Sequence, residues 1–163
     1  MANNQSRNPE RHLYLVQHGE AKSKEEDPER PLTARGRDAV EQVASWAALI
    51  GLEVDQIRHS GKRRAEETAQ IFNEYLKVPD GVISVPGIAP NDDVQPIAAA
   101  LEKETHSLML VGHLPFLSRL ASQLLTRDSE RTIIRFSMGG LVWLVRDEEQ
   151  WSVRCMVPPE LVP

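Results

Sequence analysis

Two histidines share one local setting. His18 closes an apolar run in Leu13-Tyr-Leu-Val-Gln-His-Gly-Glu20, and His113 follows the run Leu108-Met-Leu-Val-Gly112. Gly19 comes directly after the first and Gly112 directly before the second, which allows a tight turn and close approach of a ligand to the backbone. An imidazole placed at the end of a buried strand can bind a metal, move a proton or attack an electrophile. A metal site could draw on Asp92, Asp93 and Glu20, but no third His or Cys occupies a matching place. A Ser-His-Asp triad fits less well, because Ser60 lies in Ser60-Gly-Lys-Arg63 rather than in a Gly-x-Ser-x-Gly elbow. Neither a P-loop nor a dinucleotide fingerprint is present. The remaining chemistry is a neutral imidazole attacking phosphorus, which splits one hard displacement into two.

Such chemistry needs cations around the equatorial phosphoryl oxygens, because catalysis of phosphoryl transfer is mostly positioning and charge stabilisation. Arg64 lies just past the strand that ends at Ser60 and offers a bidentate fork. Arg30 lies in the loop after His18, just before Pro31. His113, if protonated, would be a further donor. Lys62 and Arg63 read as surface cations that could attract an acidic partner. His12, His59 and His106 flank strands and read as structural, with His59 next to Ser60 and so within reach of a pocket mouth. Trp46, Trp143 and Trp151 fall on helix or strand patterns and read as packing residues.

The elements that must position these groups follow from periodicity. Residues 12–17, 54–60, 83–85 and 107–112 read as strands. Thr33 is a good N-cap for a helix that runs to Ile50, and Gly51 is a natural stop. Residues 62–76, 94–103 and 115–125 read as three further helices, the last with Pro in its first turn. Residues 132–136, 140–146 and 152–157 read as strands at the end of the chain. Strands that alternate with helices predict a three-layer α/β/α sandwich with a mostly parallel central sheet. Ligands in such folds sit beyond the carboxyl ends of the strands. That rule brings His18, residues 60–64, residues 90–93 and His113 to one sheet edge.

A length of 163 residues suits one domain, expected over 11–163 after a polar, mobile leader at 1–10. A net charge of −5 and the lack of a Lys/Arg block argue against nucleic acid as a partner. The one cysteine, Cys155, excludes an internal disulfide and reads as a buried structural thiol in a reducing compartment. No apolar run resembles a signal peptide or a membrane helix, so the expected setting is cytoplasmic.

Four stretches carry a resemblance: Leu15-Val-Gln-His-Gly-Glu-Ala21, Arg30-Pro-Leu-Thr-Ala-Arg-Gly36, Ser60-Gly-Lys-Arg-Arg-Ala-Glu-Glu-Thr68 and Val111-Gly-His-Leu-Pro115. In this order they resemble the phosphoglycerate mutase-like histidine phosphatase superfamily, and within it the SixA-type phosphohistidine phosphatases. The resemblance implies that His18 is the phosphorylated nucleophile, that Arg64 and His113 bind the phosphoryl group, and that Arg30 lies in the same pocket. It implies no metal or organic cofactor, and an open pocket suited to phosphohistidine on another protein or to a small phosphorylated substrate. Gln17, Gly19 and Ser60 are the expected substrate contacts, and Asp93 the expected general acid. Two departures stand out. Gln17 occupies the place of an arginine, and Gly61 follows Ser60 where the family has proline. The first keeps open a phosphohistidine- or phosphate-binding module with little turnover, and a broad phosphomonoesterase stands as a separate alternative.

Overall fold

The apolar runs lie side by side. In a computed structural model that describes residues 10–163, six strands form one sheet. They are β1 (Arg11–Gln17), β2 (Gln56–His59), β3 (Val82–Ser84), β4 (Leu108–Gly112), β5 (Leu141–Arg146) and β6 (Trp151–Val157). Their order is β3-β2-β4-β1-β5-β6. The four strands from β3 to β1 are mutually parallel, and β5 and β6 add on antiparallel. Four helices alternate with the strands: α1 (Ala34–Leu49), α2 (Arg63–Leu76), α3 (Gln95–Lys103) and α4 (Phe116–Thr126). The expected α/β/α sandwich with a mostly parallel sheet is what the chain forms.

The layers follow from strand parity. Along β1, Tyr14 and Val16 pack with Val40 and Val43 of α1 and Ala69 and Phe72 of α2. Leu13 and Leu15 point the other way and pack with Ala98 and Leu101 of α3 and Leu117 and Leu120 of α4. β4 repeats the division, with Met109 and Val111 on one face and Leu108 and Leu110 on the other. Burial on both faces is why these two strands are continuously apolar rather than alternating.

Two expectations need adjusting. Residues 132–136 form no strand. Their alternation is real, since Ile134 is buried and Phe136 packs on the same core. Yet β5 already has β1 on one edge and β6 on the other, so no ladder beside it is open to the segment. Cys155 is half-buried on β6 rather than fully enclosed, and it is a free thiol. The leader expected at 1–10 lies outside the described residues except for Glu10. None of the described helices is long and apolar enough to cross a membrane.

The start of α1 is seated directly on the chain that follows His18. Thr33 caps the helix: its hydroxyl accepts the Gly36 N–H at 2.9 Å and donates to Glu20 Oε1 at 2.8 Å. The Thr33 N–H donates to the Glu20 carbonyl at 2.9 Å. A Cβ on Gly36 would stand 2.1 Å from that same carbonyl oxygen, and one on Gly19 would stand 2.8 Å from Val40 Cγ2. Gly19 therefore serves the approach of a helix rather than of a ligand alone. Gly112 is different, since its Cβ would meet nothing closer than 3.7 Å. Gly36→Ala should lower stability by about 1–3 kcal/mol through overpacking. Gly112→Ala should leave stability equal or raise it by up to about 1 kcal/mol. Urea unfolding midpoints check both; a Gly36→Ala variant as stable as the parent would refute the tight seat.

Candidate active site

Strand register puts the two histidines together. β1 and β4 are parallel neighbours with Gln17 opposite Gly112, and the His18 N–H donates to the Gly112 carbonyl at 3.0 Å. The next residue on each strand is therefore a histidine leaving the same edge at the same level. Their ring centroids lie 5.0 Å apart. The loop before β5 closes this edge: the Gly139 N–H donates to the Gln17 carbonyl at 2.9 Å.

Three residues hold the first histidine in a closed circuit of hydrogen bonds. His18 Nδ1 lies 2.7 Å from the Gly19 carbonyl oxygen. A carbonyl only accepts, so Nδ1 carries the proton and the lone pair sits on Nε2. Arg64, at the first turn of α2, donates Nε–H to that Nε2 at 3.3 Å. One helical turn later, the buried Thr68 hydroxyl donates to the Arg64 carbonyl at 2.7 Å and accepts the Gly19 N–H at 3.0 Å. Burial pushes the His18 pKa down to about 4; the bond to Gly19 opposes this, and Arg64 and Arg30 add to it. A neutral imidazole with its lone pair on the pocket side is the form that nucleophilic attack requires.

The second histidine is held by a hydroxyl. His113 Nε2 lies 2.6 Å from Ser60 Oγ at the end of β2. Burial, His18, Arg64, Lys62 and Arg30 together push its pKa down to about 3. The protonated His113 that the sequence reading allowed is thus not the resting form; burial and three cations outweigh any gain from the charge. Its Nδ1 is buried and has no partner among the described residues. An orphaned donor is rarer in buried positions than an under-satisfied acceptor, which favours the proton on Nε2, donated to Ser60. The Ser60 turn depends on Gly61, whose φ of +86° is closed to proline, fixed near −65°. Gly61 is therefore a different turn and not only a looser one. Buried His59 accepts the Gly61 N–H at 3.1 Å, so it builds the turn rather than lining the mouth.

The other expected residues divide. Arg30 is held at φ +49° with its Nε donating to the Lys22 carbonyl at 3.0 Å. Its charge lowers the pKa values of His18, Arg64 and His113, so it joins the cationic cluster. Gln17 is half-buried at the end of β1, and its side chain makes no hydrogen bond among the described residues. Asp93 is exposed and its Oδ1 accepts the Gln95 N–H at 3.0 Å at the start of α3. Asp92 accepts the Ala89 N–H at 2.8 Å, and Glu20 accepts from Thr33. Among the described residues no three His, Cys, Asp or Glu side chains are grouped to hold a metal ion.

Two positioning residues escaped the sequence reading. Thr68 closes the circuit just described. Glu67 accepts the Leu32 N–H at 2.8 Å and pairs with Arg63 at 3.0 Å, stapling the Arg30 loop to α2. The only available signal was spacing: Thr68 stands four residues after Arg64, and Glu67 four after Arg63.

A family model described as histidine phosphatase superfamily (branch 1) matches residues 13–84, which include His18, Arg30, Ser60 and Arg64. The chain is 28% identical over 117 residues to the phosphohistidine phosphatase SixA of Escherichia coli, covering 69% of this chain and 73% of that one. It is 33% identical over 116 residues to an uncharacterized protein of Picosynechococcus, covering 67% of this chain and 70% of that one. A solved structure of the protein histidine phosphatase SixA with tungstate superposes with a TM-score of 0.82 at 23% identity, over 93% of this chain and 99% of that one.

The lowered histidine pKa values fix a pH dependence. An unfolded histidine charges near 6.5, whereas folded His18 and His113 resist protonation until about 4 and about 3. Between those limits the unfolded chain binds more protons, so stability falls as pH drops below 6.5. The imidazole resonances of His18 and His113 should stay unmoved from about pH 8 to about pH 5. Ordinary titration of either near 6.5 would contradict its neutral resting state.

Proposed function

The chain belongs to the histidine phosphatase superfamily, and on that premise we propose that it removes phosphoryl groups from phosphohistidine on proteins through a phospho-His18 intermediate. The observation that carries this reading is the tautomer of His18: Nδ1 is tied to the Gly19 carbonyl, and the Nε2 lone pair lies beside Arg64. In the first half-reaction Nε2 attacks phosphorus, and the bond from phosphorus to the substrate imidazole breaks. The departing nitrogen keeps the bonding pair and takes up a proton. In the second half, water attacks the same phosphorus and the P–Nε2 bond breaks. The pair returns to His18, the attacking water gives up one proton, and inorganic phosphate leaves; that proton makes good the one carried off by the departing imidazole.

Arg64, Arg30 and the His113–Ser60 pair would bind the phosphoryl oxygens. The Arg64 N–H rests on the nucleophilic lone pair at a long 3.3 Å, so an arriving dianion offers it a better acceptor and uncovers Nε2. The chemistry proposed here uses no metal or organic cofactor.

Leaving-group chemistry favours phosphohistidine over a phosphate ester. The three carboxylates considered as acids each have a local bond: Glu20 with Thr33, Asp92 with Ala89, and Asp93 with Gln95. An imidazole departs from phosphorus far more easily than an alkoxide and asks less of a general acid. Asp93 remains the proposed acid for that lighter task, once released from Gln95. The small-molecule phosphomonoesterase reading asks more of it.

Gln17 favours a second reading, a phosphohistidine-binding module with little turnover, because a neutral amide replaces a charge at the phosphate. One experiment separates the two. The enzyme labels on His18, giving an acid-labile phosphoenzyme, and releases inorganic phosphate; a binding module shows saturable binding without either. His18→Ala should abolish labelling and hydrolysis while retaining the fold. Gln17→Arg should raise kcat/KM on the order of 10²-fold, the low end of the worth of one oxyanion donor. Unchanged turnover in His18→Ala would sink the proposed intermediate. Faster hydrolysis of phosphate esters than of a phosphohistidine peptide would replace the substrate class.

A further inference from the structure

We propose that Thr68 is a positioning residue for the nucleophile: its buried hydroxyl holds Gly19 and Arg64 at once, and so fixes where His18 presents Nε2. The inference rests on the phospho-His18 reading for its kinetic consequence, but not for its structural one.

Thr68 sits in the middle of α2 with no exposure to solvent. A helical threonine commonly donates its hydroxyl to the carbonyl one turn back, as here to Arg64 at 2.7 Å. That bond alone would be local. The second bond is not, since the same oxygen accepts the Gly19 N–H at 3.0 Å across 49 residues of sequence. A hydroxyl can donate once and still accept, so a single atom satisfies both partners.

The two partners are the two groups that hold His18. Gly19 offers its carbonyl to Nδ1 at 2.7 Å, and the N–H that Thr68 holds flanks the same Cα. Arg64 carries the guanidinium that reaches Nε2 at 3.3 Å. The circuit runs Thr68 to Arg64 to His18 to Gly19 and back to Thr68, with one donor and one acceptor at every junction. Remove the hydroxyl and the Arg64 carbonyl keeps its helical partner, the Thr68 backbone N–H. The Gly19 N–H keeps nothing. A buried amide without an acceptor will reorient toward water or another acceptor, and the Gly19 carbonyl that selects the tautomer moves with it. Gly19 cannot move into α1, because its Cβ position is already crowded by Val40, Gly36 and Leu32. The displacement is directed into the site.

Thr68→Val keeps the shape and deletes the hydroxyl, whereas Thr68→Ser keeps the hydroxyl and deletes a methyl group. Thr68→Val should lower kcat on a phosphohistidine peptide by about 10- to 100-fold with little change in KM, because a misplaced nucleophile costs rate rather than binding. Thr68→Ser should stay near the parent rate. The readout independent of turnover is the imidazole 15N spectrum of His18. The parent and Thr68→Ser should show protonated Nδ1 and bare Nε2, and Thr68→Val should show a mixture of tautomers. Should Thr68→Val fail to fold, Thr68→Cys replaces it, since a thiol of similar size is a weak hydrogen-bonding group. An unaltered His18 tautomer in the hydroxyl-free variant overturns the proposal, whatever the activity. An altered tautomer in a protein that never hydrolyses phosphohistidine leaves Thr68 in its role and removes the hydrolytic reading instead.

Discussion

One backbone hydrogen bond, from the His18 N–H to the Gly112 carbonyl, sets the level at which both histidines leave the sheet. It is the last rung of the β1–β4 ladder, and the rest of the site is arranged around it. A slip of one residue in that pairing would turn every β1 side chain to the opposite face. Tyr14 and Val16 would then meet α3 and α4, and Leu13 and Leu15 would meet α1 and α2. The two cores therefore hold the register, and the register holds the histidines. Parity also places His18 on the Tyr14 and Val16 side of the sheet, where α2 carries Arg64 and Thr68. Core packing and the geometry of the candidate site are in this sense one constraint.

The electrostatics follow from what surrounds that edge. Arg64 and Arg30 act on both histidines, and Lys62 acts on His113 as well. Glu20, Asp92 and Asp93 are engaged in capping and turn bonds. Cations crowded together without counter-charge are costly when the site is empty, and burial of two imidazoles beside them adds to the cost. The protein meets this by leaving both imidazoles neutral. A dianionic phosphoryl group would relieve the repulsion, since it would supply charge to the cations and acceptors to their N–H groups. Preorganised donors of this kind do no reorganising when charge develops.

The sequence was informative where a residue type has one strong local consequence. Apolar runs, Thr33 as a cap, Gly51 as a stop and histidine after a buried strand all have local signatures, and all lie where periodicity puts them. The pairing of His18 with His113 followed from a fold-level rule about strand ends, so it too was legible. The rest depends on side chains that meet backbone groups far away in sequence. Thr68 to Gly19 and Glu67 to Leu32 leave no trace in composition or period. Ser60 was found by position, but its bond to His113 is a matter of distance in space. Segment 132–136 failed for the opposite reason: its alternation was strand-like, and only the full sheet shows that β5 has no free edge.

Gln17 can be understood from the same balance. The Arg64 pKa is already lowered by burial and by Arg30, which means that the guanidinium groups repel one another in the empty site. An arginine at position 17 would add another positive charge at the carboxyl end of β1, next to His18 itself. Before the phosphoryl group arrives, that charge would raise the repulsion and press the imidazole pKa values lower still. After it arrives, the same charge would strengthen binding and stabilise the transition state. A neutral amide gives up the second effect to avoid the first, and it still offers two N–H donors to an oxygen. In the proposed phosphate site, Gln17 would therefore trade stabilisation of the loaded site for stability of the empty one. That trade is least costly for a substrate whose leaving group departs readily, since there the chemical step asks least of the cations.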